Sequence, residues 1–382
     1  MKNNEDILNE AIRQKPKKKG FLRSFFKLIL SLVLLAVIFI AGFVAYMTAI
    51  EYNPDYMTPA KAGTYRTDKK INSESVKILT MNVGYAGLGY EEDFFLDGGK
   101  GVNPKSKEYV EKNLAGLSGI LKDADADIAM IQEVDENSYR TFWINQWDEY
   151  QKAMDGYESY FAYNYRCKYV PYPFTENFRE MNSGLASFSK YKIDKAVRYS
   201  LPCPFTWPTR IFNIKRCLLT TYIPVEGTNK QLVVINLHLE AYDSGEGKIQ
   251  QTKQLLNLIE DEYAKGNYVI AGGDFNQSFP NTRDIYPIKP TSSWAPGFLD
   301  ELPEGWQYAF DDSTPTCRLL NQPYDSDSEL TQYYVIDGFI VSPNLKINSV
   351  ETLNQGFEFS DHNPVMLDVS FGDRLNVLDN NT

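Results

Sequence analysis

Apolar and polar residues alternate in short bursts along the chain, and several bursts run into a side chain that can do chemistry. VKILTM (76–81) leads into Asn82, and DIAMIQ (127–132) leads into Glu133. QLVVINLH ends at His238, and YVIAGG (268–273) meets Asp274, with Asn276 two residues on. YYVIDGFIVS contains Asp337, and NPVMLDVS follows directly on Asp361 and His362. Period-two alternation and short apolar runs predict strands at all six places, with further strands at SGLASFS and RCLLTTYI. EYVEKNLAGLSGILKDA (108–124) predicts a helix, and SYRTFWINQWDEYQKAM reads as helical. GKIQQTKQLLNLIEDEYAKG (247–266) predicts another, with Ile249, Leu255, Leu256, Ile259 and Tyr263 near one face. Residues 157–182, thick with Tyr, Pro and Phe, read as loop-rich. Strands alternate with helices, but too many strands adjoin for a simple alternating barrel, so the fold class is mixed α/β.

One segment breaks the pattern. From Leu28 to Ile50 no residue is charged. A helix over that stretch covers roughly 35 Å, enough to cross a bilayer's apolar layer with some tilt. It is long for a signal peptide and lacks a small-residue cleavage site, so it reads as an uncleaved transmembrane helix. The preceding residues 1–27 are rich in Lys and Arg and read as a basic cytoplasmic tail, which puts everything after Ile50 outside the cytoplasm. Residues 51–75 are polar and proline-containing and read as a linker. Residues 76–371 read as one domain and 372–382 as a C-terminal tail.

The formal charge of the 382 residues is −11, but it is divided. The first 27 residues carry a net +5 and the rest −16. An acidic outer domain offers no general attraction to polyanions, so an anionic substrate has to be held locally by a metal or a few basic side chains. Arg210, Arg216 and Arg318 are candidates for phosphate contacts, with ion-paired or surface arginine as the plainer role. Four cysteines in an outside domain permit disulfides; Cys203 and Cys217 flank a segment that such a bond would close, and buried thiols are the alternative.

Only two histidines occur, His238 and His362, and both lie at strand ends. If the strand ends share one edge of a sheet, their acids gather there, and burying that many acids without a cation is costly. Carboxylate and amide oxygens suit a hard ion, Mg²⁺ or Mn²⁺, whereas zinc takes more His or Cys.

TMN, QE, NLHL, GDFN, ID and SDHNP, in that order, resemble the endonuclease/exonuclease/phosphatase superfamily over about residues 76–371. The resemblance implies a four-layer sandwich, two packed β-sheets flanked by helices, and metal-dependent hydrolysis of a phosphate ester. It implies Glu133 as principal metal ligand, Asn82 beside it helping to hold the metal or the phosphate, and Asp361 near the same or a second metal. Asp274 would orient and deprotonate the attacking water, and Asn276 would steady it. His362, fixed by Asp337, would donate to a phosphate oxygen, and His238 would reach the phosphate from the other side. The implied partner is a nucleic acid, a phospholipid or a small phosphodiester; no protein partner is inferred. Phospholipase, phosphomonoesterase and non-catalytic binding module are the alternatives. Asn182, Ser183 and Gly184 resemble a family strand near the substrate, but Phe188 and Lys190 depart from its usual residues. The glycine-rich stretch after Asn82 is expected to be an active-site loop.

Overall fold

Alternation along the central strands explains the layers. In a computed structural model of the chain, which describes residues 3, 5, 18–174, 176–243 and 245–372, fourteen strands make up two seven-stranded sheets. The strands are β1 (Met57–Pro59), β2 (Lys61–Ala62), β3 (Ser75–Asn82), β4 (Ile128–Asp135), β5 (Glu158–Val170), β6 (Arg179–Ser189) and β7 (Lys195–Ser200). They continue with β8 (Cys217–Pro224), β9 (Gln231–His238), β10 (Tyr268–Asp274), β11 (Gln307–Ala309), β12 (Asp337–Val341), β13 (Leu345–Thr352) and β14 (Val365–Phe371).

One sheet has the order β1-β7-β8-β9-β10-β12-β11, the other β13-β14-β3-β4-β6-β5-β2. Each has a single parallel pair near its centre, β9 with β10 and β3 with β4, among antiparallel neighbours. Val76, Ile78, Ile128, Met130, Val234 and Ile270 belong to the core between the sheets. The intervening residues face outward. Leu79, Met81, Ala129 and Ile131 meet Leu114, Leu117 and Trp147 of helices α2 (Lys107–Ala124) and α3 (Gln146–Ala153). Val233, Ile235, Val269 and Ala271 meet Leu255 and Ile259 of α4 (Glu246–Ala264). Helix, sheet, sheet, helix is the expected four-layer sandwich.

The inward positions change character toward one end of the strands. β3 reads Val76, Ile78, Thr80, Asn82; β4 reads Ile128, Met130, Gln132; β9 reads Val234, Asn236, His238. At that end the apolar core gives way to a buried polar layer. Gln132 donates to Thr80 Oγ1 (3.1 Å) and Asn236 Oδ1 (2.8 Å), and Asn236 donates to the carbonyls of Ile131 (3.2 Å) and Ala186 (2.9 Å). These bonds tie the two sheets together directly beneath the polar strand ends.

Several sequence expectations need correction. Residues 51–75 are not a free linker: β1 and β2 add an edge strand to each sheet, and Ile71 is fully buried in the inter-sheet core. Residues 157–182 are mostly not loop. β5 and β6 pair through them as a long hairpin, because its tyrosines alternate with small and polar residues on a pleated surface. Within 138–154 only Gln146–Ala153 is α-helical, since Phe142 and Trp143 adopt left-handed backbone. Ile249 is exposed, while Leu255 and Ile259 carry the burial of α4.

Residues Met1–Glu51 form a unit separate from Tyr52–Thr382. Its helix α1 (Lys18–Ala49) is long and apolar enough to cross a membrane. It begins inside the stretch read as a basic tail. Most of that tail, and residues 373–382 of the C-terminal tail, lie outside the described residues.

Candidate active site

Strand direction puts the polar ends together. Asn82 and His238 end β3 and β9, Asp274 ends β10, and Asp337 opens the antiparallel β12 opposite Asp274. Asp361 and His362 lie just before β14, which runs antiparallel to β3. All eight sequence-predicted residues therefore occupy one edge of the sandwich.

Glu133 reaches this edge through a backbone irregularity. Alternation places it with Ala129 and Ile131 on the helix-facing side. The β4–β6 register shifts between Ile131 and Val134, and Glu133 takes φ 59°. A bulge of this kind re-aims a side chain, and left-handed backbone at a non-glycine residue costs on the order of 1 kcal/mol or more. Two glycines permit close approach. Gly273 has φ 146°, and a Cβ there would collide with the Leu237 carbonyl oxygen, so β10 meets β9 tightly just before Asp274. A Cβ on Gly84, at φ 47°, would stand 2.8 Å from Asp361 Oδ1.

Asp274 is the hub. Its Oδ1 accepts from the Asn276 backbone N–H at 2.8 Å. Its Oδ2 lies 3.1 Å from Asn82 Nδ2, 3.4 Å from His238 Nε2 and 3.9 Å from His362 Nε2. The two imidazoles thus flank one carboxylate oxygen. His362 Nδ1 is 2.8 Å from Asp337 Oδ2, which leaves Nε2 facing the site and 3.9 Å from Asp361 Oδ2. Asn276 is steadied in turn by donating its amide to the Leu239 carbonyl at 3.0 Å.

Asn82 links the two acids. Its amide nitrogen donates to Glu133 Oε1 and Asp274 Oδ2, each at 3.1 Å, and its oxygen accepts from Gly84 N–H at 3.0 Å. Turning the amide over would set oxygen against two carboxylates. As placed, Asn82 turns its amide nitrogen to the two acids and so aligns them.

Burial shapes the charges. Asp274 is pushed up to about 7 by burial and by the nearby Asp337 charge. Asp361 is pushed up to about 6 by burial, with Glu133 adding to the effect. Burial pulls His362 down, but Asp337, Cys317 and Asp361 outweigh it and hold the ring well above its ordinary value. His238 is held well below, by burial, Arg216 and His362. The surroundings thus favour the charged form of one ring and the neutral form of the other.

The buried Asp361 and Asp274 and the partly exposed Glu133 bring three acids together, which is costly without a cation. Asp337 Oδ1 and His238 Nδ1 have no hydrogen-bond partner among the described residues. A donor set of carboxylate oxygens with unbalanced charge fits a hard divalent cation.

Several contributors were not expected from the sequence. Ser360 donates to the Asn82 carbonyl at 2.9 Å, and Thr316 Oγ1 accepts from the N–H groups of Ile336 (3.0 Å) and Asp337 (3.1 Å). Arg140 binds Asp135 through two 2.9 Å bonds and lies 3.5 Å from the centre of the Tyr85 ring, bracing the loop after Asn82. Single hydroxyls and arginines in loops carry no periodic signal that could have marked them. Arg216 donates to the His238 carbonyl at 3.2 Å, and Arg318 to the Gly89 carbonyl at 2.9 Å; Arg210 does not line the cavity. Cys203 and Cys217 are not joined: their thiols lie against the carbonyls of Ile214 (3.9 Å) and Tyr163 (3.6 Å).

The site opens into a cavity of about 700 Å³. One wall is aromatic, with the Phe95 ring in contact with those of Phe94, Tyr172 and Phe178, and the glycine-rich loop after Asn82 supplies Tyr85, Leu88 and Asp97. Asp97 is buried, accepts from Tyr242 Oη at 2.7 Å, and is raised by burial.

Similar architectures are known. The chain resembles the endonuclease/exonuclease/phosphatase from Beutenbergia cavernae DSM 12333 with TM-score 0.55 and 16% identity, over 78% of this chain and 72% of that one. It resembles the endonuclease/exonuclease/phosphatase from Bacteroides vulgatus with TM-score 0.50 and 15% identity, over 78% and 100%. At such identity the likeness speaks for the fold alone. No match was found among curated proteins. The sequence pattern of the Endonuclease/Exonuclease/phosphatase family matches residues 79–362, which include every residue placed at this edge. With four layers, a shared polar edge and that match together, the chain belongs to the endonuclease/exonuclease/phosphatase family, whose members hydrolyse phosphate esters.

Proposed function

We propose that the protein is a divalent-metal-dependent phosphodiesterase that acts outside the cytoplasm, held at the membrane by its N-terminal helix. The observation that carries this reading is the position of Asp274 Oδ2, within 4 Å of both imidazoles, while Asp337 pins one of them. Glu133 and Asp361 would hold Mg²⁺ or Mn²⁺, and Asn82 keeps Glu133 and Asp274 aligned. The cation, when bound, supplies positive charge that offsets the charge building on the phosphate oxygens.

The side chains do the rest. Asp274, locked by Asn276 through Oδ1, presents Oδ2 to take a proton from water in line with the phosphorus. His362, charged and oriented by Asp337, donates from Nε2 to a non-bridging oxygen, where transition-state charge grows. His238, neutral, donates from the other side. The membrane placement is supported by the basic residues before the apolar helix, which favour a cytoplasmic N-terminus.

The full-length protein in detergent is expected to hydrolyse bis-p-nitrophenyl phosphate with Mg²⁺ and to stop when chelator is added. Asp274→Ala is expected to lower kcat by about 10³-fold. Hydrolysis that persists at the wild-type rate in this variant would defeat the assignment. Absence of turnover with every metal and ester would favour a binding module instead.

A phospholipid is the second reading of the substrate. The aromatic wall and the domain's negative charge favour an ester with an apolar group over a polyanion. Sphingomyelin or phosphatidylinositol vesicles, tested against plasmid DNA and sugar phosphates, separate these outcomes. Faster cleavage of DNA than of lipid would exclude the lipid.

A further inference from the structure

We propose that Cys317, Asp361 and His362 form a site for a soft divalent cation of the zinc class, which shares only Asp361 with the hard-ion position and is incompatible with catalysis. Cys317 begins a short strand, Cys317–Arg318, paired with Tyr333–Tyr334, and it also forms an antiparallel bridge with His362. That bridge brings the thiol to the imidazole. The Cys317 sulfur, an Asp361 carboxylate oxygen and a His362 ring nitrogen lie within 4.8 Å of one another. All three residues are buried, and all three line the cavity, so an ion has a way in.

The chemistry separates this trio from the Mg²⁺ ligands. Hard ions take oxygen, whereas a thiolate, an imidazole and one carboxylate with a fourth position open is a zinc-type set. The ring is already prepared. Asp337 occupies Nδ1 at 2.8 Å, which commits Nε2 to the metal and supplies the carboxylate–imidazole–metal relay that raises ligand basicity. Ligand bonds of about 2.0–2.3 Å put tetrahedral donors roughly 3.5 Å apart, so a 4.8 Å triangle needs to contract by about 1 Å. His362 Nε2 and Asp361 Oδ2, at 3.9 Å, are nearly there. Binding releases the thiol proton to solvent, and the sulfur enters as thiolate.

An ion held there occupies the Nε2 that faces the phosphate and an acid assigned to Mg²⁺. Zinc therefore inhibits; this consequence, unlike the binding itself, rests on the proposed hydrolytic function. Cys317 is not among the groups that touch substrate in that reading.

The test is a titration of metal-free, full-length protein with Co²⁺, followed by optical spectroscopy. One equivalent is expected to produce tetrahedral visible bands together with a thiolate-to-cobalt charge-transfer band, both erased by Zn²⁺. Cys317→Ser is expected to remove the charge-transfer band, with Cys317→Ala as a second variant should the first misfold. In the activity arm, Zn²⁺ suppresses Mg²⁺-supported hydrolysis by at least tenfold, and Cys317→Ser needs at least tenfold more Zn²⁺ for the same loss. Absence of the band in wild type, or its survival in either folded variant, overturns the site, since Cys167, Cys203 and Cys217 would then be the ligands or none would. A band without any hydrolysis upholds the site and sinks the catalytic reading instead.

Discussion

Asp337→Asn isolates the clearest electrostatic arrangement in the molecule. The carboxylate is 2.8 Å from His362 Nδ1, and both residues are buried. With an effective dielectric of about 20, the attraction between unit charges at that separation is about 6 kcal/mol. Burial of the imidazolium works against it, and a net loss of about 3 kcal/mol is reasonable for breaking a buried pair. That corresponds to roughly 10²-fold in kcat/KM if the charge on His362 is used in the transition state. The asparagine preserves shape, so KM is expected to change little. The pH profile discriminates. Asp337 leads the charges that hold His362 raised against burial, so the ring of the variant is expected to lose its proton at lower pH than that of wild type. The deficit of Asp337→Asn is therefore expected to be large at pH 8 and to shrink toward pH 5.5. The stability sign agrees: a raised histidine stabilises most below the unfolded value and loses that contribution as pH rises through its folded value. Thermal melts should show a smaller alkaline decline in the variant. An equal deficit at every pH, or none, would refute the idea that Asp337 acts by holding a charge on His362.

Other expectations concern the metal, the polar layer and the cavity. Asp361 (about 6) and Asp274 (about 7) are raised acids, so the metal-free fold is favoured with them protonated and loses that benefit as pH rises through these values. The Tm gain from Mg²⁺ over chelator should hence be larger at pH 7.5 than at pH 5, and equal gains would contradict the placement of the cation among them. Asn236→Ala strands the carbonyls of Ile131 and Ala186 and should cost about 2–4 kcal/mol in urea unfolding; a loss below about 0.5 kcal/mol would mean the layer does not hold the sheets. Phe94→Ala should raise KM for a long-chain phosphodiester several-fold and leave methyl p-nitrophenyl phosphate unchanged, and equal effects on both would disconnect the aromatic wall from the substrate.

Much of this site is written in the alternation itself. The strands ending at Asn82 and His238 are visible because their inward positions turn from apolar to polar toward the end, as Ile78, Thr80, Asn82 and Val234, Asn236, His238 show. Parallel pairing of β3 with β4 and β9 with β10 then carries those ends to one edge. What alternation does not reveal is where it is broken. Glu133 sits on the wrong parity, and only the bulge opposite β6 turns it inward. Asn82 shows its nitrogen to the acids because Gly84 N–H claims its oxygen, a local bond that no residue type announces. An edge strand such as β1 buries one face or less, so its mixed composition reads as linker. The tyrosine-rich hairpin β5–β6 is misread for a related reason: tyrosines serve loops and strands alike, and the partner strand decides between them.

The central claim is that Glu133 and Asp361 share one hard cation within reach of Asp274 and the two histidines. Anomalous diffraction from Mn²⁺-soaked crystals of the protein measures this directly. The account predicts a peak within coordination distance, about 2.2 Å, of a carboxylate oxygen from each of Glu133 and Asp361. A fully occupied peak elsewhere, with these two acids unliganded, would contradict it.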